Sequence, residues 1–105
     1  MSLVTLANNG SIPARAGSVF LSNKDVADAT LALPSSGLVP GWSCNIIQED
    51  GAAKIKLSSA GSINGASGAN GILSAIAGPM ARITYVGDSK FIAQRIASDG
   101  AITKF

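Results

Sequence analysis

The chain has 105 residues, eight basic and six acidic side chains, a net charge of +2 and no histidine. Without histidine there is no Ser-His or Cys-His nucleophile pair and no access to the commonest general acid–base group, and one cysteine cannot build a four-ligand zinc site. The cations are scattered, and one Trp, one Tyr and three Phe fall short of the stacking platforms and clustered charge of a nucleic-acid groove.

Only 13% of the residues are charged while 47% are hydrophobic, against about a quarter charged in ordinary globular domains. A small domain so poor in ions is either sparingly soluble or has much of its surface covered by other subunits. The second reading is favoured here, because a single small core gains stability from oligomerisation.

In chain order, residues 1–17 stand apart. Leu3-Val4-Thr5-Leu6 is strand-like, but Asn8, Asn9, Gly10, Pro13 and Gly17 all disfavour regular structure. The segment is expected to be an N-terminal arm that orders on a partner, followed by a single β-domain over 18–105. It lacks the basic stretch and apolar core of a secretion signal, and no apolar run is long enough for a membrane span.

Residues 18–22 read as a strand, and 23–29 could form one helical turn. Residues 30–33 form a short strand ended by Pro34-Ser35-Ser36-Gly37. Trp42, Cys44 and Ile46 then alternate with Ser43 and Asn45, the period of a half-buried strand. Glu49-Asp50-Gly51 supplies a turn, and Ala53, Ile55 and Leu57 alternate with Lys54, Lys56 and Ser58. Segments 42–48 and 52–58 are therefore expected to form a hairpin, with Lys54 and Lys56 on its wet face. Cys44 is expected to be a buried, inert thiol, and Trp42 a core or interface anchor.

The run Gly65-Ala66-Ser67-Gly68-Ala69-Asn70-Gly71 reads as a flexible loop or a close approach to a neighbouring subunit. Residues 81–86 alternate and turn through Gly87-Asp88-Ser89 into a paired strand over 90–96, and Asp99-Gly100 turns again into 101–105. Turn signals at such regular spacing between short strands predict an all-β fold, a small antiparallel β-sandwich or β-barrel with an extended N-terminal arm.

Several of these segments carry a resemblance when taken together. Thr30-Leu31-Ala32-Leu33-Pro34, Gly41-Trp42-Ser43-Cys44-Asn45-Ile46-Ile47-Gln48, Gly51-Ala52-Ala53-Lys54-Ile55, Gly61-Ser62-Ile63-Asn64, Ala81-Arg82-Ile83-Thr84-Tyr85-Val86-Gly87 and Phe91-Ile92-Ala93 resemble, in that order, a β-domain of tailed-phage virion proteins. That family includes the ends of tail fibres, head fibres and small capsid-decorating proteins. Phe91 stands where the family often has Trp, and the Ala/Gly-rich loop is unusual for it.

The resemblance implies structural work, with no catalytic, metal or cofactor residues and no nucleic-acid or membrane partner. It points to a capsid decoration (cement) protein that oligomerises, as a homotrimer, on the outer surface of a phage head and binds the major capsid protein. On that reading Leu3, Val4, Leu6, Ile12 and Pro13 are the capsid-binding arm. Trp42, Ile46, Ile55, Ile83, Tyr85 and Phe91 are core or subunit-interface positions. The alternative is a tail-fibre tip that binds a receptor or glycan, which would call for exposed aromatic or acidic clusters on loops.

Overall fold

The structure, a computed structural model, describes residues 2–26, 28–65, 73–74 and 78–105. Its strands are β1 (Leu3–Ala7), β2 (Gly10–Ser11), β3 (Ser18–Ser22), β4 (Asp28–Ala32), β5 (Ser43–Gln48), β6 (Lys54–Ser58), β7 (Ser62–Ile63), β8 (Leu73–Ser74), β9 (Met80–Gly87), β10 (Lys90–Ile96) and β11 (Ile102–Lys104). No helix occurs among the described residues, so the protein is all-β as expected. The sheets are open, and they are mixed instead of antiparallel throughout.

The first six strands alternate between two sheets. β1, β3 and β5 lie side by side and parallel in the larger sheet, while β2, β4 and β6 do the same in the smaller one. The chain thus winds as a coil of three turns, each laid on the one before. β9 then joins β5 antiparallel, and β10 and β11 extend that sheet as a meander, with β7 parallel beside the start of β10.

Stacking in register builds the core. Val4, Val19 and Ile46 occupy one inward position of successive turns, and Leu6, Leu21 and Gln48 the next. Ala29 stands beside Ile55 and Leu31 beside Leu57 in the smaller sheet. The meander adds Ala81 beside Ile46 and Ile83 between Cys44 and Ala93. Inner residues of both sheets join in one hydrophobic cluster. Each fully buried Val, Leu or Ile there contributes about 1.5–3 kcal/mol.

Two expectations are corrected. Segments 42–48 and 52–58 do not pair as a hairpin: β5 lies between β3 and β9, and β6 between β4 and β8. Alternation fixes which side chains face the core but not which strand is the neighbour, and the preceding coil turn already offers each strand a parallel template. Nor do residues 2–17 extend away as an arm. Leu3–Ala7 pairs along its whole length with β3, and Ile12 and Ala16 are each only 2% exposed. They form the first turn of the coil. In place of a helical turn after β3, Asn23 accepts from the Val26 amide at 3.1 Å in a tight turn with Asp25 at φ +66°. Residues 66–71 of the expected loop lie outside the described residues.

A buried amide pair holds the corner between β5 and β6. Asn23 is 0% exposed; its Nδ2 donates to Gln48 Oε1 at 2.8 Å and its Oδ1 accepts from the Asp50 amide at 2.9 Å. Gln48 Nε2 in turn donates to the carbonyls of Ala53 and Gly78. At the far side Asn64 plays a comparable part. Its amide bonds both the N–H and the C=O of Ala93, at 2.9 and 3.0 Å, bridging the gap between β7 and β11 along β10.

Asn23→Ala would leave Gln48 Oε1 and the Asp50 N–H without partners in a dry corner. Urea denaturation should show a loss of about 2–4 kcal/mol, with an unchanged m-value.

Candidate interaction surface

Two successive strands of the larger sheet have too many apolar residues for one inward face. Val19-Phe20-Leu21 in β3 and Ile46-Ile47 in β5 each force one large side chain outward, since successive residues point to opposite faces. Val19, Leu21 and Ile46 take the core at 0% exposure, so Phe20 and Ile47 face out.

Register then lines these residues up. Phe20 stands beside Ile47, Ile47 beside Met80, Met80 beside Ile96, and Ile96 beside Ile102. The outer face carries an unbroken apolar row across five strands. Phe20, Met80 and Ile96 are half-buried, while Ile47 is 39% and Ile102 55% exposed. The next row is polar: Ser18, Asn45, Arg82, Gln94 and Lys104. Arg82 Nε donates to Asn45 Oδ1 at 3.1 Å, which ties two of its members together. Adjacent strands lie about 4.8 Å apart, so the apolar row spans roughly 20 Å.

One concave feature, of about 390 Å³, lies beside the end of the sheet and is lined by Asn64, Ile92, Gln94, Ile102 and Lys104. Another, of about 160 Å³, is lined by Pro34, Leu38, Tyr85, Phe91 and a set of serines and glycines. The Tyr85 and Phe91 rings meet tilted at 53°, 5.1 Å between centroids, and the Tyr85 hydroxyl accepts from the Ser89 amide at 3.3 Å. A Cβ on Gly61 would overlap the Ser89 carbonyl, so glycine is required where β7 meets that turn. Among the described residues no three acidic or cysteine side chains gather closely enough to hold a metal ion. Lys54 and Lys56 share the outer face of the smaller sheet, where Lys56 meets Asp28 at 3.8 Å, an exposed pair worth little.

Of the residues expected to face a core or a partner, Ile46, Ile55, Ile83 and Phe91 are buried, at 0, 3, 0 and 3% exposure. Trp42 and Tyr85 pack against that core half-buried. The Trp42 indole donates to the Ala14 carbonyl at 2.7 Å, so the ring is tied down at the first coil turn and is not a free platform. Of the residues expected in an arm, Ile12 is core, Val4, Leu6 and Pro13 are half-buried, and only Leu3, at 64%, is well exposed. Phe20, Met80, Ile96 and Ile102 went unnoticed in the sequence, although the triple Val19-Phe20-Leu21 carried the signal.

Cys44 is 1% exposed, and burial pushes its thiol up from 9.0 to about 11. Its stabilising effect is complete below pH 9, where both states are protonated. It is lost between about pH 9 and pH 11, where only the unfolded thiol ionises. Iodoacetamide at pH 8 should leave the folded protein unlabelled and modify it fully in urea. Stability should fall between pH 9 and 11 more in the native protein than in Cys44→Ala. Comparison of the sequence with models of known families and with curated proteins finds no match to either.

Proposed function

We propose that the protein is a structural component of a phage virion, a decoration protein that self-associates and seats on the outer surface of the head against the major capsid protein. The observation that carries this reading is the apolar row Phe20–Ile47–Met80–Ile96–Ile102 on the outward face of a weakly charged sheet. A solvated monomer has no use for such a row, whereas a subunit laid against a shell covers it. The resemblance of residues 30–93 to virion β-domains supports the same assignment. So does the chemistry of the site, which offers apolar contact bordered by a polar row that includes Arg82 and Lys104.

The contact with the shell is reassigned accordingly. With Leu3–Ala7 paired into the sheet, the outer row takes the role expected of an arm. On this reading the two open sheets, whose inner residues share one hydrophobic cluster, act as a sandwich-like body that carries the row. A glycan-binding tip receives no comparable support, because Trp42 is anchored to Ala14.

Immunogold labelling of particles from cells that encode the chain, with antibody to the purified protein, should decorate heads. Label confined to tail tips, or absent from particles, would overturn the assignment. In a recruitment assay on stripped heads, Ile47→Lys should weaken binding about tenfold or more, equivalent to at least ~1.4 kcal/mol. Its urea midpoint should match that of the native protein, since Ile47 faces away from the core.

A further inference from the structure

We propose that the free edge of β1 is a strand-pairing site whose occupant is β1 of a second copy of this chain, antiparallel to it about a two-fold axis at Thr5.

Among the described residues the two sheets end on four strands: β1 and β11 in the larger, β2 and β8 in the smaller. Folded proteins guard such edges by keeping them short, charged, bulged or interrupted by proline. β2 and β8 are two residues each, and β11 is three residues with Lys104 among them. β1 has none of these guards. It is five residues, Leu-Val-Thr-Leu-Ala, uncharged and without proline, and its register against β3 runs without a break.

The unpaired groups are in place. Ser2 C=O accepts from the Gly17 and Ser18 amides, and Gly17 and Leu21 carbonyls accept from the β5 side. By the alternation of a strand, Ser2, Val4 and Leu6 therefore direct their backbone groups to β3. Leu3, Thr5 and Ala7 direct theirs to the open edge.

The inner face is also one strand short. Val19 and Leu21 are 0% exposed, but Val4 and Leu6, at the same positions one coil turn earlier, remain half-buried. A further strand would cover them as β1 covers Val19 and Leu21.

A second β1 fits that vacancy in both respects. Antiparallel pairing about Thr5 sets Thr5 opposite Thr5 and Leu3 opposite Ala7. The groups facing the edge then exchange hydrogen bonds as directly opposed pairs. On the inner face Val4 meets Leu6 in both directions, apolar against apolar. A one-residue slip would turn each Val and Leu to the wrong side, so the register is specified by the pattern itself. The contact is isologous and closes at two copies. It holds whether or not the protein belongs to a virion, and it stands in place of the homotrimer implied by the family resemblance.

Sedimentation of the full chain should give twice the mass of 10.5 kDa. Thr5→Lys sets two like charges face to face on the axis and should yield monomer with unaltered circular dichroism. Thr5→Cys tests the geometry without weakening the edge. Opposed Cα atoms at about 5.5 Å lie within disulfide range, so non-reducing gels should show a covalent dimer. Val86→Cys, exposed on the same sheet away from this edge, should not cross-link. A monomeric native chain, an odd-numbered or open-ended assembly, an oligomer that survives Thr5→Lys, or no cross-link at residue 5 would each overturn the proposal. Labelling of heads by antibody is independent of all these outcomes, so this contact can fail while the virion assignment stands.

Discussion

The side chains of Asn23 and Gln48 meet in a corner where the chain leaves the larger sheet for the smaller, and the coil depends on that meeting. A turn between two sheets, unlike a hairpin, cannot satisfy its peptide groups by pairing its own flanking strands. The Asp50 amide and the Ala53 and Gly78 carbonyls are therefore bonded by these two side chains. Asn8 acts similarly one turn earlier, where its Oδ1 accepts from the Thr30 amide at 2.9 Å. Every buried side-chain nitrogen and oxygen among the described residues has a partner. Polar corners of this kind are strong when complete and costly when broken, which ties the path of the backbone to a few amides.

Once the corners hold, inward stacking follows from alternation, and the outer face inherits whatever is left over. The proposed function rests on that remainder. Phe20 and Ile47 are excluded from the core because Val19, Leu21 and Ile46 already fill it. The parallel register of β3 and β5 then places the two side by side. The antiparallel register of β9, β10 and β11 continues the row through Met80, Ile96 and Ile102. An exposed apolar row thus arises from the same pairing rules that build the core, with polar Asn45, Arg82 and Gln94 confining it on one side.

The sequence revealed local structure well and long-range pairing poorly. Strands over 18–22 and 81–96, and the last turn at Asp99-Gly100, were legible because alternation and turn residues are adjacent in the chain. The pairing of β5 was not, because an Asp-Gly turn serves a corner between sheets as readily as a hairpin. Residues 1–17 misled for a related reason. Asn8, Asn9 and Pro13 break regular structure at corners of the coil instead of in a free arm, while Gly10 pairs with Leu31 in β2. The sparse charge raised the expectation of a covered surface, while the apolar row itself became visible only when the register was known.

The coil also has a direction in time. Each of its turns needs only residues already made, so during synthesis β3 can settle on β1, and β5 on β3, in the order they leave the ribosome. The far flank of β5 has no such luck: its neighbour begins at Met80 and comes from the other side of the second half of the chain. Until that late hairpin arrives, Cys44 and Ile46 stand at the margin of an unfinished sheet. Non-local partners of this sort slow folding and expose apolar edges in the meantime. A nascent chain stalled before residue 80 would therefore be its most adhesive form, sticky along β5 as well as along β1.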